Sequence, residues 1–406
     1  MRAGFSLFLF AGLLFGLGCD ASDPTVEPTA AKPDSVFITF GTNAYDVGRA
    51  ILESTEGDLL SAGETATGVG PTDGPLPQPG LARVMRDSVV VWNQQYGLQF
   101  GRGRLVAIRQ SAPASFTALF DKYDGLGYPT GVSLFVFDDR GKRVSTLYDR
   151  SDVSTGYSLT SPLLVTPTGD FIFGIAPSYQ EILLTRVNSS GNTQWETPLP
   201  GHCWISALLE AENGDILVLG TAPLADPRKG CAAVMLTRLT ASGVVQWSQR
   251  YHILHDGTHT TDGVIIRPSN KGYLIAGGGL RQTPSGYTSG VLAMQVDEAG
   301  ALNWHRLIPT KNTFFTHATA TTDGGLVIIG GIQAFFILKI DAQATLLWHR
   351  VIAEKGMWGQ AHSVVELADT RLAITGGFGP DERRGDGATS INLDTFLLIL
   401  DQNGHF

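Results

Sequence analysis

Asn188-Ser-Ser-Gly191-Asn-Thr-Gln-Trp195 and Asp297-Glu-Ala-Gly300-Ala-Leu-Asn-Trp304 are two copies of one phrase, in which an apolar strand is followed by a polar turn and then a Trp. Thr240/Gly243/Trp247 and Asp341/Ala344/Trp348 keep the spacing, and Met85/Ser88/Trp92 keeps it with degenerate turn residues. Asp138/Gly141/Ser145 retains the turn and loses the Trp, while Asp401/Gly404 opens a seventh copy close to Phe406. A strand-built unit recurring every ~44–60 residues is the signature of a β-propeller. The expected fold is therefore all-β, a seven-bladed β-propeller of four-stranded antiparallel blades. Trp92, Trp195, Trp247, Trp304 and Trp348 open the fourth strands. They are expected to pack between neighbouring blades, where a large aromatic buries area and satisfies its single N–H locally.

Blade three gives the pattern. Leu163 to Val165 reads as the inner strand, Thr168-Gly-Asp170 as a tight turn, then Phe171 to Ile175, Ile182 to Val187, and Thr193 to Leu199 after the Asn188 turn. Short glycine-containing links between apolar runs are hairpin signals. The first link recurs as Glu56-Gly-Asp58, Asn213-Gly-Asp215 and Asp323-Gly-Gly325. The last blade has its third strand, Thr395 to Leu400, and no fourth. The segment Ser35 to Gly41 lies before the first inner strand, Val47 to Glu53, and is expected to complete that blade. Such a latch removes an open sheet edge.

The 406 residues would allow two or three domains, but the repeat favours one architecture over 35–406. Hydrophobic residues at 43%, 49 glycines and only 17% charged residues suit many short buried strands and argue against disorder. A net charge of −9 with no basic stripe excludes a nucleic-acid partner as the expectation, since phosphate contacts need clustered Lys and Arg. Residues 1–18 read as a signal peptide, with Arg2 as the n-region and Phe5 to Leu17 as an apolar stretch too short to span a bilayer. Cys19 follows Leu17-Gly18 in the manner of a bacterial lipobox, although Gly16 stands where the usual Leu would be. Lipidation of Cys19 would tether the chain to a membrane through 19–34, which is polar, Pro-rich and aperiodic. The competing reading is an ordinary cleaved signal. Cys203 and Cys231 fall at the same end of one blade, so either a disulfide or two buried thiols is consistent with the sequence.

Binding residues on propellers are expected on loops held by the rigid ring. The links between second and third strands are long at Thr65–Gly80, Phe120–Gly131, Ala222–Gly230, Gly279–Gly290 and Gly379–Asp394, and short in blades three and six. The first, second and seventh blades are neighbours in the ring, so three long links should wall one side of that face. The starts of the inner strands carry Asp46, His202, His259, Asp262, His317 and His362 as channel-mouth candidates. Imidazoles near one mouth suit Zn or Cu. Their offsets from the following turns differ by several residues, however, so no metal is expected. No G-x-S-x-G, H-E-x-x-H, Walker A, C-x-x-C or EF-hand loop is present, and no catalytic residue is assigned.

The repeat resembles PQQ-like β-propeller repeats, whose blades carry Asp-x-x-x-Gly-x-x-x-Trp; here the Asp-to-Gly spacing is one shorter, as in Asp297-Glu-Ala-Gly300. The resemblance spans nearly all of 35–406 and implies fold. Quinoprotein dehydrogenases of this class have eight blades, a calcium set and often adjacent cysteines, none of which can be assigned here, so no cofactor is expected. The resemblance extends to bacterial propeller lipoproteins that act as interaction scaffolds. The function expected is non-catalytic binding or scaffolding at the cell envelope, with a protein or glycan partner on the long-loop face. The alternative is an enzyme with a channel-mouth site, acting on carbohydrate or using a quinone.

Overall fold

The computed structural model describes residues 36–405, apart from 42–44, 70–74, 98–99, 125–128, 152, 154–161, 179–180, 224–230, 252–259, 270–271, 284–285, 311–314, 332–333, 353–356, 384–388 and 392. The signal, Cys19 and the tether therefore lie outside the described residues, as does His259.

Seven sheets follow one another in chain order, each numbered here as a blade. Val36–Phe40 is β1. Blade 1 contains β2 (Tyr45–Glu53), β3 (Leu59–Val69), β4 (Pro75–Val84) and β5 (Val90–Gln95). Blade 2 contains β6 (Arg102–Ala112), β7 (Ser115–Tyr123), β8 (Pro129–Asp138) and β9 (Arg143–Ser151). Blade 3 contains β10 (Leu163–Val165), β11 (Phe171–Ser178), β12 (Glu181–Val187) and β13 (Thr193–Pro198). Blade 4 contains β14 (Trp204–Glu210), β15 (Ile216–Pro223), β16 (Cys231–Leu239) and β17 (Val245–Tyr251). Blade 5 contains β18 (Thr260–Ser269), β19 (Gly272–Thr283), β20 (Gly286–Val296) and β21 (Leu302–Pro309). Blade 6 contains β22 (Phe315–Ala320), β23 (Leu326–Gly330), β24 (Phe335–Ile340) and β25 (Leu346–Ile352). Blade 7 contains β26 (Met357–Glu366), β27 (Leu372–Arg383), the short β28 (Thr389–Ile391) and β29 (Asp394–Leu400). Every pairing is antiparallel, and the molecule is a seven-bladed β-propeller.

The latch is present. β1 pairs with β29 from Val36 opposite Ile399 to Phe40 opposite Thr395, so the N-terminal strand is the outer strand of blade 7. Phe37 stacks on Phe396 at 5.7 Å and meets Phe378 edge-on at 5.3 Å, while Ile38 and Phe40 pack against the apolar cluster shared by blades 7 and 1.

The recurring phrase has a definite mechanical role. Asp or Asn opens five of the seven turns and accepts two backbone N–H groups, as Asp297 does from Ala299 and Ala301, while Met85 and Thr240 open the other two. The glycine three residues on has a left-handed backbone, for example φ +83° at Gly243 and +82° at Gly300. That glycine is the seat for the Trp of the preceding blade. A Cβ would come within 2.9 Å of Trp92 at Gly141, 2.6 Å of Trp195 at Gly243, 2.9 Å of Trp247 at Gly300 and 2.8 Å of Trp348 at Gly404. The indole N–H groups of Trp92, Trp195 and Trp348 donate to the carbonyls of Asp139, Ala241 and Gln402 in the same turns. Blade 6 departs from the pattern: Ala344 holds φ +59° and shares an apolar cluster with Trp304. Blade 2 lacks the Trp, and there Gly191 closes instead on the carbonyl of Leu147.

Candidate functional site

The inner strands share an irregularity that puts side chains at the blade seams. The ladder between first and second strands slips by one residue between Gly48 and Ala50, Leu105 and Ala107, Ile205 and Ala207, Phe315 and His317, and Ala361 and Ser363. A bulge leaves one residue unpaired and re-aims it. Those residues are Arg49, Val106, Ser206, Thr316 and His362. Ser206 and Thr316 satisfy themselves on carbonyls, Thr316 Oγ1 reaching Ala361 of the next blade at 2.6 Å.

Arg49 and His362 make the bulge into a charged cluster. Arg49 donates through Nε to Glu64 Oε1 at 3.0 Å and pairs with the same carboxylate through Nη2. Its Nη1 lies 3.0 Å from His362 Nε2 and 3.4 Å from Nδ1, so the imidazole serves as the acceptor of this guanidinium. All three side chains are buried, His362 completely. Burial and then the cations Arg49 and Arg104 hold the His362 imidazole well below its usual range, so it is neutral. Burial alone would raise the Glu64 carboxyl, but Arg49 and Arg104 hold it below its usual value. Arg104 lies on β6, 3.9 Å from the buried Asp121 and 5.6 Å from the Tyr123 ring. Two arginines thus face two carboxylates where blades 7, 1 and 2 meet. Such a cluster fixes register more than it adds stability, because desolvating the charges offsets their attraction.

The sequence candidates are dispersed by the fold. His362 is locked to Arg49 as described. His202 is buried in blade 4 with Nε2 2.8 Å from Thr237 Oγ1 and its other nitrogen beside Gly220; burial lowers it to about 4. His317, on the inner strand of blade 6, accepts the Val364 N–H through Nδ1 at 3.2 Å and is lowered to about 4 by burial and then by Arg109. Asp46 is buried at the seam of blades 7 and 1, and raises the half-buried Asp394 carboxyl after burial has done so. That seam, lined by Asp46, Ser61, Glu64, Thr65 and Asn93 among others, has room for about one water. The Asp262 backbone lies in β18, and its side chain is outside the described set. Among the described residues no group of three or more His, Cys, Asp or Glu gathers as metal ligands. Cys203 is disulfide-bonded, and its N–H donates to Thr221 at 2.7 Å, two residues along β15 from Pro223, which pairs with Cys231.

In blades 1, 5 and 7 the long links are not irregular loops, which corrects the sequence expectation there. β3 and β4 stay paired to Val69 opposite Pro75, β19 and β20 to Thr283 opposite Gly286, and β27 continues to Arg383, paired with β28. In these three blades they are hairpins that extend the sheet. In β4, Pro75, Pro77 and Pro79 alternate beyond Gly80, the last residue covered by β5. A proline at every second position gives the ribbon's outer edge no N–H to offer, which blunts an exposed strand edge. Blades 7, 1, 2, 4 and 5 carry the long links; blades 3 and 6 turn by Glu181 and Phe335. The described hairpins of blades 7, 1 and 5 rise on one face, and blades 3 and 6, nearly opposite each other across the ring, turn early; the blade 4 link, 224–230, lies outside the described residues. Sequence reasoning missed Arg49, Glu64, Arg104 and Arg109. The available signal was a charge inside apolar strand runs, as in Gly48-Arg49-Ala50 and Ala62-Gly63-Glu64.

No protein-family model and no curated protein matches the chain. Solved structures do. A streptogramin B lyase is 10% identical, with TM-score 0.50 over 91% of this chain and 99% of that one. A catalytically inactive virginiamycin B lyase from Staphylococcus aureus with quinupristin is 10% identical, with TM-score 0.50 over 90% and 99%. A NanB sialidase from Streptococcus pneumoniae gives 9% identity and TM-score 0.44 over 93% and 72%. At these identities the likeness is one of fold alone, and membership of the PQQ-like family is not shown by it.

Proposed function

We propose that the chain is an envelope-associated binding protein that receives an extended protein or glycan segment across the hairpin-walled face, without catalysis. The observation that carries this reading is the placement of the walls. Extended hairpins in blades 1, 5 and 7 and early turns in blades 3 and 6 would leave a trough that crosses the channel mouth from blade 3 to blade 6. Rigid ribbons with proline-blunted edges suit side-chain recognition, since the alternating prolines of β4 resist pairing with an added strand. The dispersal of His202, His317 and His362, each engaged by its own blade or the next, supports binding over acid–base chemistry. Attachment to a membrane through a lipid on Cys19 belongs to the same proposal.

The test is crosslinking in native membranes followed by affinity capture, with variants in which the blade 1 hairpin or the blade 5 hairpin is cut back to a short turn. A stoichiometric partner lost on trimming either wall supports the reading. A partner retained when both walls are trimmed refutes it. For the anchor, Cys19→Ser should move the protein from the membrane to the soluble fraction, and unchanged sedimentation with membranes would overturn that part.

A further inference from the structure

Two carboxylates converge where the ring closes. Asp394 opens β29, the strand that carries the latch, and Asp46 lies in β2, the inner strand of blade 1. The Asp46 N–H donates to the Leu393 carbonyl at 2.6 Å, which holds the two strand starts together. Their side chains meet at Gly41, the residue after β1. A Cβ there would lie 2.6 Å from Asp46 Oδ2 and 2.8 Å from Asp394 Oδ1, so a bare glycine leaves that space to the two oxygens. Asp46 is buried and Asp394 half-buried, and water screens such a pair poorly. Asp394 makes no hydrogen bond or ion pair among the described residues, and burial followed by the Asp46 carboxylate holds its carboxyl above the usual range. Like charges this close resist joint ionisation unless a cation joins them.

A third oxygen marks the same place independently. Thr65 pairs with Asp46 directly across β2 and β3, so the two side chains share a face. Thr65 is 2% exposed, and its Oγ1 has no hydrogen-bond partner among the described residues. Buried hydroxyls are rarely left in that state. Gly41, Asp46 and Thr65 line one cavity, with room for about one water. A cation held at about 2.3–2.6 Å from its oxygens needs no more room than that. Glu64 lines the cavity too, but Arg49 already engages it. Carboxylates and a hydroxyl are hard donors, which suit calcium rather than Zn or Cu. Calcium also accepts irregular oxygen sets filled out by carbonyls and water, whereas magnesium demands a near-octahedral one.

We propose that the seam between blades 7 and 1 is a calcium site, with the Asp46 and Asp394 carboxylates and the Thr65 hydroxyl as its side-chain ligands. The ion ties the first inner strand to the strand that receives β1, as a clasp on the closed ring. With only two carboxylates, its affinity falls in the range of extracellular calcium modules, a Kd of about 0.1–1 mM.

The full chain, stripped with EDTA and dialysed, would be titrated with calcium chloride by calorimetry and melted with and without calcium, sodium chloride holding the ionic strength constant. The expected results are a one-site isotherm and a saturable rise of a few degrees in melting temperature. Magnesium at equal concentration should give much less. Asp394→Asn should abolish both effects; without calcium it should melt no lower than wild type, because it relieves a like-charge pair. Asp46→Asn should weaken binding at least tenfold and Thr65→Val severalfold. Glu212→Gln, on an exposed turn, serves as the control and should change nothing. No saturable calcium binding by the wild type would overturn the proposal and leave the cavity to a water. Binding that survives Asp394→Asn, or an equal gain from magnesium, would overturn it as well. Should Asp46→Asn fold poorly by circular dichroism, Asp394→Asn and Thr65→Val decide: wild-type affinity in both refutes the site.

Discussion

Gly243→Ala tests whether the seated Trp is what couples one blade to the next. The backbone there has φ +83°, and an L side chain in the left-handed region costs ~1–2 kcal/mol. The new methyl would also meet Trp195 at 2.6 Å and Thr197 Oγ1 at 2.9 Å, so the indole must leave its seat. A fully buried Trp is worth about 3–5 kcal/mol against Ala; Trp195 is half-buried, so about 2 kcal/mol is at stake. Gly243→Ala should then cost about 3 kcal/mol and Trp195→Ala about 2, but the double variant only ~3–4, because without the indole only the backbone penalty remains. The assay is urea denaturation followed by far-UV circular dichroism, which does not depend on the removed Trp. Additivity of the two substitutions within about 0.5 kcal/mol would refute the seat. Ala344 shows how the turn tolerates a Cβ: it occupies the same position at φ +59°, almost fully buried beside Trp304. Ala344→Gly should accordingly change stability by less than about 1 kcal/mol.

Three further outcomes are expected. A chain beginning at Thr42 lacks all five β1–β29 pairings and should melt far below one beginning at Asp34; equal melting temperatures would exclude a structural latch. Stability should fall in acid: His202 titrates at about 4 when folded against 6.5 as a free side chain, so the unfolded chain takes up its proton first as pH drops. Between those values this one group removes about 3 kcal/mol, and His202→Gln should flatten the pH dependence there; an unchanged slope would count against a buried neutral imidazole. Reduction of the Cys203 disulfide should lower the unfolding free energy, by about 3–4 kcal/mol in the chain-entropy account if the bridge closes on Cys231, and peptide mapping before reduction should recover those two cysteines linked.

The ring was legible because its signal is local and repeated. Asp, Gly and Trp of the turn phrase act within one hairpin and on the next, so the pattern recurs in the sequence with the period of the structure. The latch was legible for the same reason, since Thr395 to Leu400 leaves a blade one strand short. The seam cluster was not. Arg49 and His362 are separated by 313 residues and meet only because the ring closes, and both occupy bulges, which shift a strand by one residue without a fixed sequence mark. The partners of the histidines were not legible for a related reason. Alignment along a strand does not say which way a side chain turns at a bulge, and His202 is spent inside its own blade on Thr237. The hairpin walls were read as loops because Gly, Pro and Thr are turn formers in most settings. In β4 the prolines instead occupy the unpaired edge of a strand that continues past its neighbour.

The direction of β1 has a consequence for how the molecule would stand on a surface. Val36 pairs near the end of β29, beside the turn that starts at Asp401, whereas Phe40 lies at the end where the hairpin of blade 7 projects. The chain therefore enters the ring from the rim opposite the blade 7 hairpin. With Cys19 as the proposed anchor, the residues before Val36 reach at most about 60 Å, and they would hold the turn-bearing rim toward the bilayer. The trough would then open outward, away from the lipid, turned toward whatever occupies the far side of the envelope space.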